Sequence, residues 1–316
     1  MKSASKINYE IRPCKYIERK MLVKTLARIV NRFDPNGNDY QYIGLGGLSF
    51  TDFKLMHKEL NITKMTSIEG APYNIKKLDF NKPFSCIDVK LGYTSVIIPG
   101  LSYDKKTIAW LDYDGTLDNY MFTDAENLIG LMPVNSLYIV SCNYLLNTSD
   151  SASATYYTNE EFQEKFGDLV PSDVPDNCCT LSNAPDTLYK MFNRICVKKV
   201  RERNFENGTN LKFQPLYFFI YQDGGAPMFT FGGIILESET ELEELHVNDF
   251  DFINPTVPYK IDMPVLTFYE LNKLNQAVGD KKAEKKMMKD GILQRGEIEK
   301  FKKFYKYMPN FFDVRL

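Results

Sequence analysis

The 316-residue sequence contains few of the residues on which several kinds of site depend. It has two histidines, and its six cysteines include no pair with the C-x-x-C spacing of a zinc site. Neither a histidine-based catalytic triad nor a Cys/His metal centre is therefore expected, and no metal site is predicted. The cysteines are scattered, apart from the adjacent Cys178 and Cys179, which is typical of a reducing compartment.

Long apolar runs are also missing. No window approaches the ~18 apolar residues expected of a membrane-spanning helix, and the first residues lack the apolar stretch of a secretory signal. The formal net charge is −2 and 25% of the residues are charged, as in ordinary globular proteins. We therefore expect a cytoplasmic protein without membrane contact, and the charge balance argues against a protein that coats nucleic acid.

Strand-like and helix-like segments alternate through the middle of the chain. Five strand candidates each end at a polar or glycine-containing turn: Tyr40–Ile43, Met65–Ile68, Cys86–Leu91, Thr107–Leu111 and Leu137–Cys142. This alternation predicts a parallel sheet with helices on both faces. Leu216–Tyr221 and Met228–Leu236 flank a glycine-rich turn and predict an antiparallel hairpin. The expected fold is a doubly wound, mostly parallel seven-stranded sheet with an antiparallel C-terminal hairpin.

Composition divides the chain into three regions. Residues 1–38 are predicted to be an N-terminal helical segment, with a helix over Lys15–Phe33. Arg12, Lys15, Glu18 and Arg19 at its start are expected to form a solvated face, and the alternative is that they close over a cofactor pocket. Residues 39–245 are predicted to be the α/β domain, in which the Ser-, Thr- and Asp-rich segment 147–203 is an insertion that contacts substrate. Residues 246–316 are predicted to be a small helical C-terminal subdomain.

The first strand, turn, helix and strand contain the features of a cofactor site. Gly44, Gly46 and Gly47 follow the strand, where missing side chains let a cofactor approach the backbone. Glu69 ends the next strand, where an acid accepts hydrogen bonds from ribose hydroxyls. Ser49 occupies the place of the last glycine in the dinucleotide pattern, so a pyrophosphate would lack its usual site. A tight turn beside a surface carboxylate is the alternative interpretation.

Four motifs, taken in order, resemble the class I (Rossmann-like) S-adenosylmethionine-dependent methyltransferases, including the O-methyltransferases. They are YIGLGG, SIEG, WLDYDG and LYIVSCN, and the resemblance covers residues 38–236. It implies that S-adenosylmethionine binds at Ile43–Phe50, with Gly44, Gly46 and Gly47 beneath it and Glu69 on its ribose. The resemblance therefore predicts both the fold and methyl transfer to an oxygen or nitrogen nucleophile.

The resemblance also assigns residues around the adenine and the methyl group. Asp88 or Gly92, after or within the third strand, is expected near the adenine, and Asp112 is expected to face the methyl group. Asp112 or Asp114 would orient or deprotonate the acceptor.

The end of the next strand is expected to contact the substrate. Asn143 and Tyr144 lie there in the sequence. Catechol-type O-methyltransferases have an acid before this asparagine that helps to bind magnesium, whereas here the residue is Cys142. The substitution removes a hard oxygen ligand, so the acceptor site is predicted without a metal.

Two other functions fit parts of the sequence. The segment LDYDGTLD matches the first motif of haloacid dehalogenase-like phosphatases, with Asp112 as nucleophile and Asp114 as general acid beside magnesium. That motif normally ends the first strand of its domain, whereas three strand–helix units precede it here. A second acidic pair is offered only by Asp280 and Glu284. The other alternative is a catalytically degenerate scaffold subunit of a multi-protein defence or modification system.

Lysines accumulate near the C-terminus, with aromatic residues between them. They are Lys273, Lys281, Lys282, Lys285, Lys286, Lys289, Lys300, Lys302, Lys303 and Lys306. Such a segment can bind nucleic acid or an acidic protein partner, but a solvated lysine face is the favoured interpretation. The sequence does not identify the methyl acceptor.

Overall fold

One eight-stranded sheet organises the computed structural model, which describes residues 12–35, 39–70, 74–148, 155–237 and 243–308. The strands are β1 (Tyr40–Gly44), β2 (Lys64–Glu69), β3 (Ile87–Leu91), β4 (Lys106–Thr116), β5 (Leu137–Asn143), β6 (Lys212–Tyr221), β7 (Met228–Leu236) and β8 (Tyr259–Ile261).

Ten α-helices accompany the strands within the described residues. They are α1 (Pro13–Phe33), α2 (Thr51–Leu60), α3 (Ile75–Asn81), α4 (Thr94–Ile97), α5 (Asn119–Leu131), α6 (Asn159–Phe166), α7 (Ala184–Asn207), α8 (Phe268–Ala277), α9 (Lys281–Lys289) and α10 (Arg295–Phe304). Among these helices none has the length and apolar character needed to cross a bilayer.

The strand order is β3-β2-β1-β4-β5-β7-β6-β8. Strands β1 to β5 are parallel, and β7 pairs antiparallel with both β5 and β6. The predicted doubly wound sheet with an antiparallel hairpin is thereby confirmed. The predicted number of seven strands is wrong, because Tyr259–Ile261 pairs with β6 as an eighth strand. This strand belongs to the region that was predicted to be helical.

Two hydrophobic cores cover the two faces of the sheet. Alternation along β4 separates them: Trp110 packs in the core formed with α1 and α2, whereas Leu111 packs in the core formed with α5 and α7. Because successive strand residues point to opposite faces, one buried strand contributes to both cores. Helix α7 packs on α5 and on the sheet, so much of the predicted insertion belongs to the main fold.

Helix α1 packs against one face of the sheet, and the burial of its charged residues differs from the prediction. Lys15, Glu18 and Arg19 were predicted to lie on a solvated face, but they are 0%, 0% and 1% exposed. Three charged side chains inside a core need partners, since an unpaired buried charge is strongly destabilising. Their partners lie at one edge of the sheet.

The C-terminal helices form a smaller packed unit. Leu274, Leu293, Ile298 and Phe301 make up its core, and Phe304, at the end of α10, packs into the main core. Helices α8, α9 and α10 lie in the region that was predicted to be helical.

Candidate cofactor and acceptor site

The carboxyl ends of β1, β2 and β4 meet at one edge of the sheet. Gly44, which ends β1, is in register with Ser67 of β2 and with Trp110 of β4. The glycine turn after β1, Glu69 at the end of β2 and Asp112, two residues beyond Trp110 in β4, therefore lie at the same edge. Open α/β sheets bind their ligands at this edge.

Glu69 is bound to the backbone of the glycine turn. Its Oε1 accepts hydrogen bonds from the amides of Gly46 and Gly47 at 2.8 and 3.0 Å, and from the Ser67 hydroxyl at 2.5 Å. The side chain is buried, with 3% of the residue exposed. Burial raises the pKa of Glu69, and these three hydrogen bonds oppose the rise because they favour the carboxylate.

The structure gives a physical reason for glycine in this turn that the sequence analysis did not identify. A Cβ on Gly44 would lie 2.6 Å from the Tyr42 hydroxyl, and one on Gly46 would lie 2.6 Å from Phe50 and Ser67. At these two positions the protein's own side chains already require glycine, and the expectation that the turn leaves space for the cofactor stays a prediction. At Gly47 the requirement is conformational, since φ is +56°.

Asp112 is part of a buried ion network with the start of α1. The Lys15 ammonium lies 2.8 Å from Asp112 Oδ1 and 2.8 Å from Glu18 Oε2, and 4.7 Å from the centroid of the Trp110 ring. Burial and the charge of Asp112 raise the pKa of Glu18, whereas Lys15 opposes the rise. One ammonium thus stabilises two buried acidic side chains.

Hydroxyl groups connect this network to the centre of the sheet. Thr230 of β7 donates a hydrogen bond to Glu18, and its hydroxyl lies 2.7 Å from that of Ser141 on β5. Ser141 also accepts a hydrogen bond of 3.0 Å from the Trp110 indole. Strands β4, β5 and β7 therefore all contribute to holding the first turn of α1 in place.

The turn between β6 and β7 supplies a cap for α1 that the sequence analysis missed. Asp223 accepts hydrogen bonds from the backbone amides of Cys14 and Lys15 at 2.8 and 3.0 Å. These amides are free in the first turn of a helix, where a carboxylate also interacts favourably with the helix dipole. The turn had been explained as a simple hairpin, since nothing local indicates a partner 208 residues away.

Asp114 differs from Asp112 in its environment. Asp114 is exposed, and its charge contributes to the raised pKa of Glu69. An exposed carboxylate therefore lies close enough to interact with Glu69, whereas Asp112 is 9% exposed and bound to Lys15.

The remaining predicted site residues lie in two places. Asn143 ends β5, where its side chain accepts a hydrogen bond from the Leu145 amide at 2.9 Å, and Tyr144 follows it, half-buried. Asp88 is the second residue of edge strand β3 and pairs with Lys90 at 2.8 Å, so it lies away from the carboxyl edge.

Gly92 directly follows β3 at that edge. Its amide donates a 2.9 Å hydrogen bond to the Glu69 carbonyl. Of the two residues expected near the adenine, Gly92 is therefore the one that the fold brings beside Glu69.

Among the described residues, the second acidic pair of the phosphatase motif has other partners. Asp280 caps α9, accepting hydrogen bonds from the Lys282 and Ala283 amides at 2.9 and 3.2 Å. Glu284 pairs with Lys302 at 3.0 Å within the same C-terminal unit. Both residues of the expected second acidic pair therefore stabilise helices of the C-terminal unit.

The strand order and the glycine turn with its acid define a class I methyltransferase-like fold. The chain belongs to the family described as "Putative O-methyltransferase", whose sequence profile matches residues 7–316. No curated protein sequence matches the chain.

Two solved structures illustrate what the chain is similar to. A LepI variant in complex with SAH and a substrate analogue has a TM-score of 0.35 and 10% identity, covering 66% of this chain and 46% of LepI. SAH-bound PaMTH1, a methyltransferase from Podospora anserina, has a TM-score of 0.33 and 11% identity, covering 71% of this chain and 88% of PaMTH1. The chain thus spans less than half the length of LepI.

Proposed function

We propose that the protein transfers a methyl group from S-adenosylmethionine to an oxygen nucleophile. The observation that supports this most is the buried Glu69 carboxylate at the end of β2, bound through Oε1 to the Gly46 and Gly47 amides. A carboxylate in this position of a class I fold accepts hydrogen bonds from a ribose. Membership of the O-methyltransferase family favours oxygen over nitrogen as the acceptor atom.

The residues at the edge fit such a cofactor chemically. The three hydrogen bonds of Glu69 all use Oε1, so Oε2 is the atom that would accept from the ribose hydroxyls. The charges of Glu69 and Asp114 would also favour a cationic sulfonium. When bound, the cofactor supplies an electrophilic methyl carbon.

Asp114 and Asp112 would act differently on the acceptor. Asp114 is exposed, so it can orient the acceptor hydroxyl and take its proton. Asp112 is bound to Lys15, so we assign it to positioning: it ties the start of α1 to the edge where the acceptor binds. Asn143 and Tyr144 would contact the acceptor from the end of β5.

Calorimetry with S-adenosylmethionine tests the proposal. We expect the wild type to bind and Glu69→Gln to bind about 10- to 100-fold more weakly, the loss typical of hydrogen bonds to a charged group. Glu206→Gln is the matched control, because Glu206 is exposed at the end of α7 and should not affect binding. Gly46→Asp is a poor probe, since its Cβ would collide with Phe50 and Ser67.

Two results would contradict the proposal. Wild-type protein that is folded but does not bind S-adenosylmethionine would refute cofactor binding. Binding without methyl transfer to any hydroxyl compound, together with a copurifying protein, would instead favour the scaffold alternative.

A further inference from the structure

Strand β3 lies at one end of the sheet and pairs with only one of the described strands, β2. Its other side is an open edge, whose backbone amides and carbonyls can pair with a further strand. Exposed apolar side chains accompany this edge. Leu91 ends the strand, Phe80 belongs to the preceding helix α3, and Tyr93 and Val96 follow the strand. Apolar side chains beside an open strand favour a protein–protein contact.

One hydrogen bond shows which residues of β3 are directed to the open side. The Gly92 amide donates to the Glu69 carbonyl of β2 at 2.9 Å, and the backbone groups of successive strand residues point alternately to the two sides. Residues 88 and 90 therefore bond to β2, as Gly92 does. The residues that direct their amides and carbonyls outward are Ile87, Val89 and Leu91.

The side chains of β3 form a pattern that matches its own reverse. Val89 is the central residue, and Asp88 and Lys90 flank it. The two ends are Ile87 and Leu91. When two copies of the strand run antiparallel about Val89, Asp88 of each copy lies opposite Lys90 of the other, and each Ile87 lies opposite a Leu91. Every charge thus meets its opposite, and every apolar residue meets an apolar one.

The backbone selects the same register. Antiparallel strands alternate between positions where opposite residues exchange hydrogen bonds and positions where they do not. Centring the pair on Val89 places the three outward-directed residues at the hydrogen-bonded positions. Asp88 and Lys90 then lie at a position without such bonds, where opposite side chains approach each other most closely. Side chains and backbone therefore agree on a single twofold arrangement.

We propose that two copies of this chain form a twofold symmetric dimer by antiparallel pairing of β3, which extends the sheet across both copies. Asp88 and Lys90 are exposed and pair with each other within one copy at 2.8 Å, so they can exchange this pair for one across the interface. Charged residues commonly protect an open edge from pairing. Here they repel a strand with a different order of charges and match a second copy. The dimer does not depend on the proposed methyl transfer.

Sedimentation velocity of the full chain over a series of protein concentrations measures this dimer, without S-adenosylmethionine. We expect the wild type to dimerise. Asp88→Lys or Lys90→Asp alone places like charges opposite each other twice in the dimer, so each should raise the dimer Kd at least about tenfold at low salt. The double variant Asp88→Lys/Lys90→Asp restores both opposite pairs, and its Kd should return to the wild-type value.

An equal mixture of the two single variants gives a second test. Two lysines at positions 88 and 90 of one chain then lie opposite two aspartates of the other. A heterodimer should therefore form, although each variant alone dimerises weakly. Both positions are exposed, and circular dichroism checks that each variant is folded. Arg295→Glu is the control, because Arg295 pairs with Glu299 in an exposed part of the C-terminal unit, and it should leave the Kd unchanged.

Three results would overturn this dimer. The first is a wild type that stays monomeric up to about 0.1 mM. The second is unchanged dimerisation of both single variants, which would place the contact elsewhere. The third is weakened dimerisation of the single variants that neither the double variant nor the mixture restores, since β3 would then not pair with itself in this register. Because no cofactor is present, failure here is distinct from failure of the proposed methyl transfer.

Discussion

At the scale of single residues, Glu69 has a structural function and, under the proposed function, a chemical one as well. Its Oε1 fixes the turn through the Gly46 and Gly47 amides, and the proposed function uses its other oxygen for a ribose. Because the side chain is buried, its pKa lies above the ordinary 4.5. Protonation of this group should therefore matter closer to neutral pH than for an exposed glutamate.

The raised pKa of Glu69 predicts how cofactor binding depends on pH. Hydrogen bonds from the ribose need the carboxylate, so affinity should be full above the raised pKa and should fall as the pH is lowered through it. Calorimetric titrations with S-adenosylmethionine between about pH 5 and 8 measure this change. Glu69→Gln should bind weakly without this step, and a step that persists in the variant would assign it to another group.

Lys15 is a second residue whose environment leads to a prediction. Lys15→Met would leave Glu18 and Asp112 buried without their cation, which typically costs about 3–5 kcal/mol. We expect a loss of this size in the free energy of unfolding, measured with urea.

A matched control lies on the same helix. Lys20 pairs with Glu59 at 3.2 Å, with 33% and 47% of their side chains exposed, so Lys20→Met should cost about 0–1 kcal/mol. Equal losses in the free energy of unfolding of the two variants would show that burial does not increase the contribution of the Lys15 network to stability.

At the scale of elements, helix α1 is held at its start by distant strands. Asp223 caps its first turn from the β6–β7 connection, and Lys15 binds Asp112 near the end of β4. Arg19 also pairs with Asp52 in the first turn of α2, at 2.5 Å. The start of α1 is therefore attached to the helix that follows the glycine turn as well as to the sheet.

Removal of the Asp223 cap should loosen the start of α1. Asp223→Ala should lower the free energy of unfolding by about 1–2 kcal/mol and increase hydrogen exchange at the Cys14 and Lys15 amides, which it binds. Asp280→Ala is the matched control, since Asp280 also accepts hydrogen bonds from two amides in the first turn of a helix, α9. Asp280→Ala should increase hydrogen exchange at the start of α9 and leave exchange at the start of α1 unchanged. Unchanged exchange at Cys14 and Lys15 in Asp223→Ala would refute the cap.

At the scale of the whole molecule, several acidic groups are buried in the fold. Burial raises the pKa of Glu18, Glu69 and Asp124 above ordinary values of 4.5, 4.5 and 3.8. The folded protein therefore retains protons at pH values where the unfolded chain has lost them. Stability from these groups is full below the ordinary values and is lost as the pH rises through the raised ones.

Asp124 offers a test of this pH dependence. It accepts a 2.6 Å hydrogen bond from the Tyr113 hydroxyl and is fully buried in α5. Urea unfolding of the wild type and of Asp124→Asn from about pH 4 to 8 should show that the contribution of Asp124 to stability decreases as the pH rises. The stability of Asp124→Asn, which has no titrating group at this position, should therefore decrease less than that of the wild type. A parallel decrease in both would exclude Asp124 as a source.

The predictable part of the fold and site depended on local patterns. Alternating strands and helices predicted the sheet, and Gly46 and Glu69 were recognised because their spacing follows from one β-α-β unit. The eighth strand was missed, since its three residues, Tyr259–Ile261, are too few to show a periodicity. The prediction of a solvated face on α1 was wrong because the sequence does not show whether a charged residue will be buried beside an oppositely charged partner.

The sequence by itself determined the order of strands and helices, the glycine turn and the acid that follows it. Only the tertiary structure decided that Lys15 and Glu18 are buried, that Asp112 is bound to Lys15 and that Asp223 caps α1. The physical reason is distance along the chain. Hydrophobic periodicity and turn chemistry act over a few neighbouring residues, whereas these contacts of Asp112 and Asp223 join groups that lie 97 to 209 residues apart in the chain.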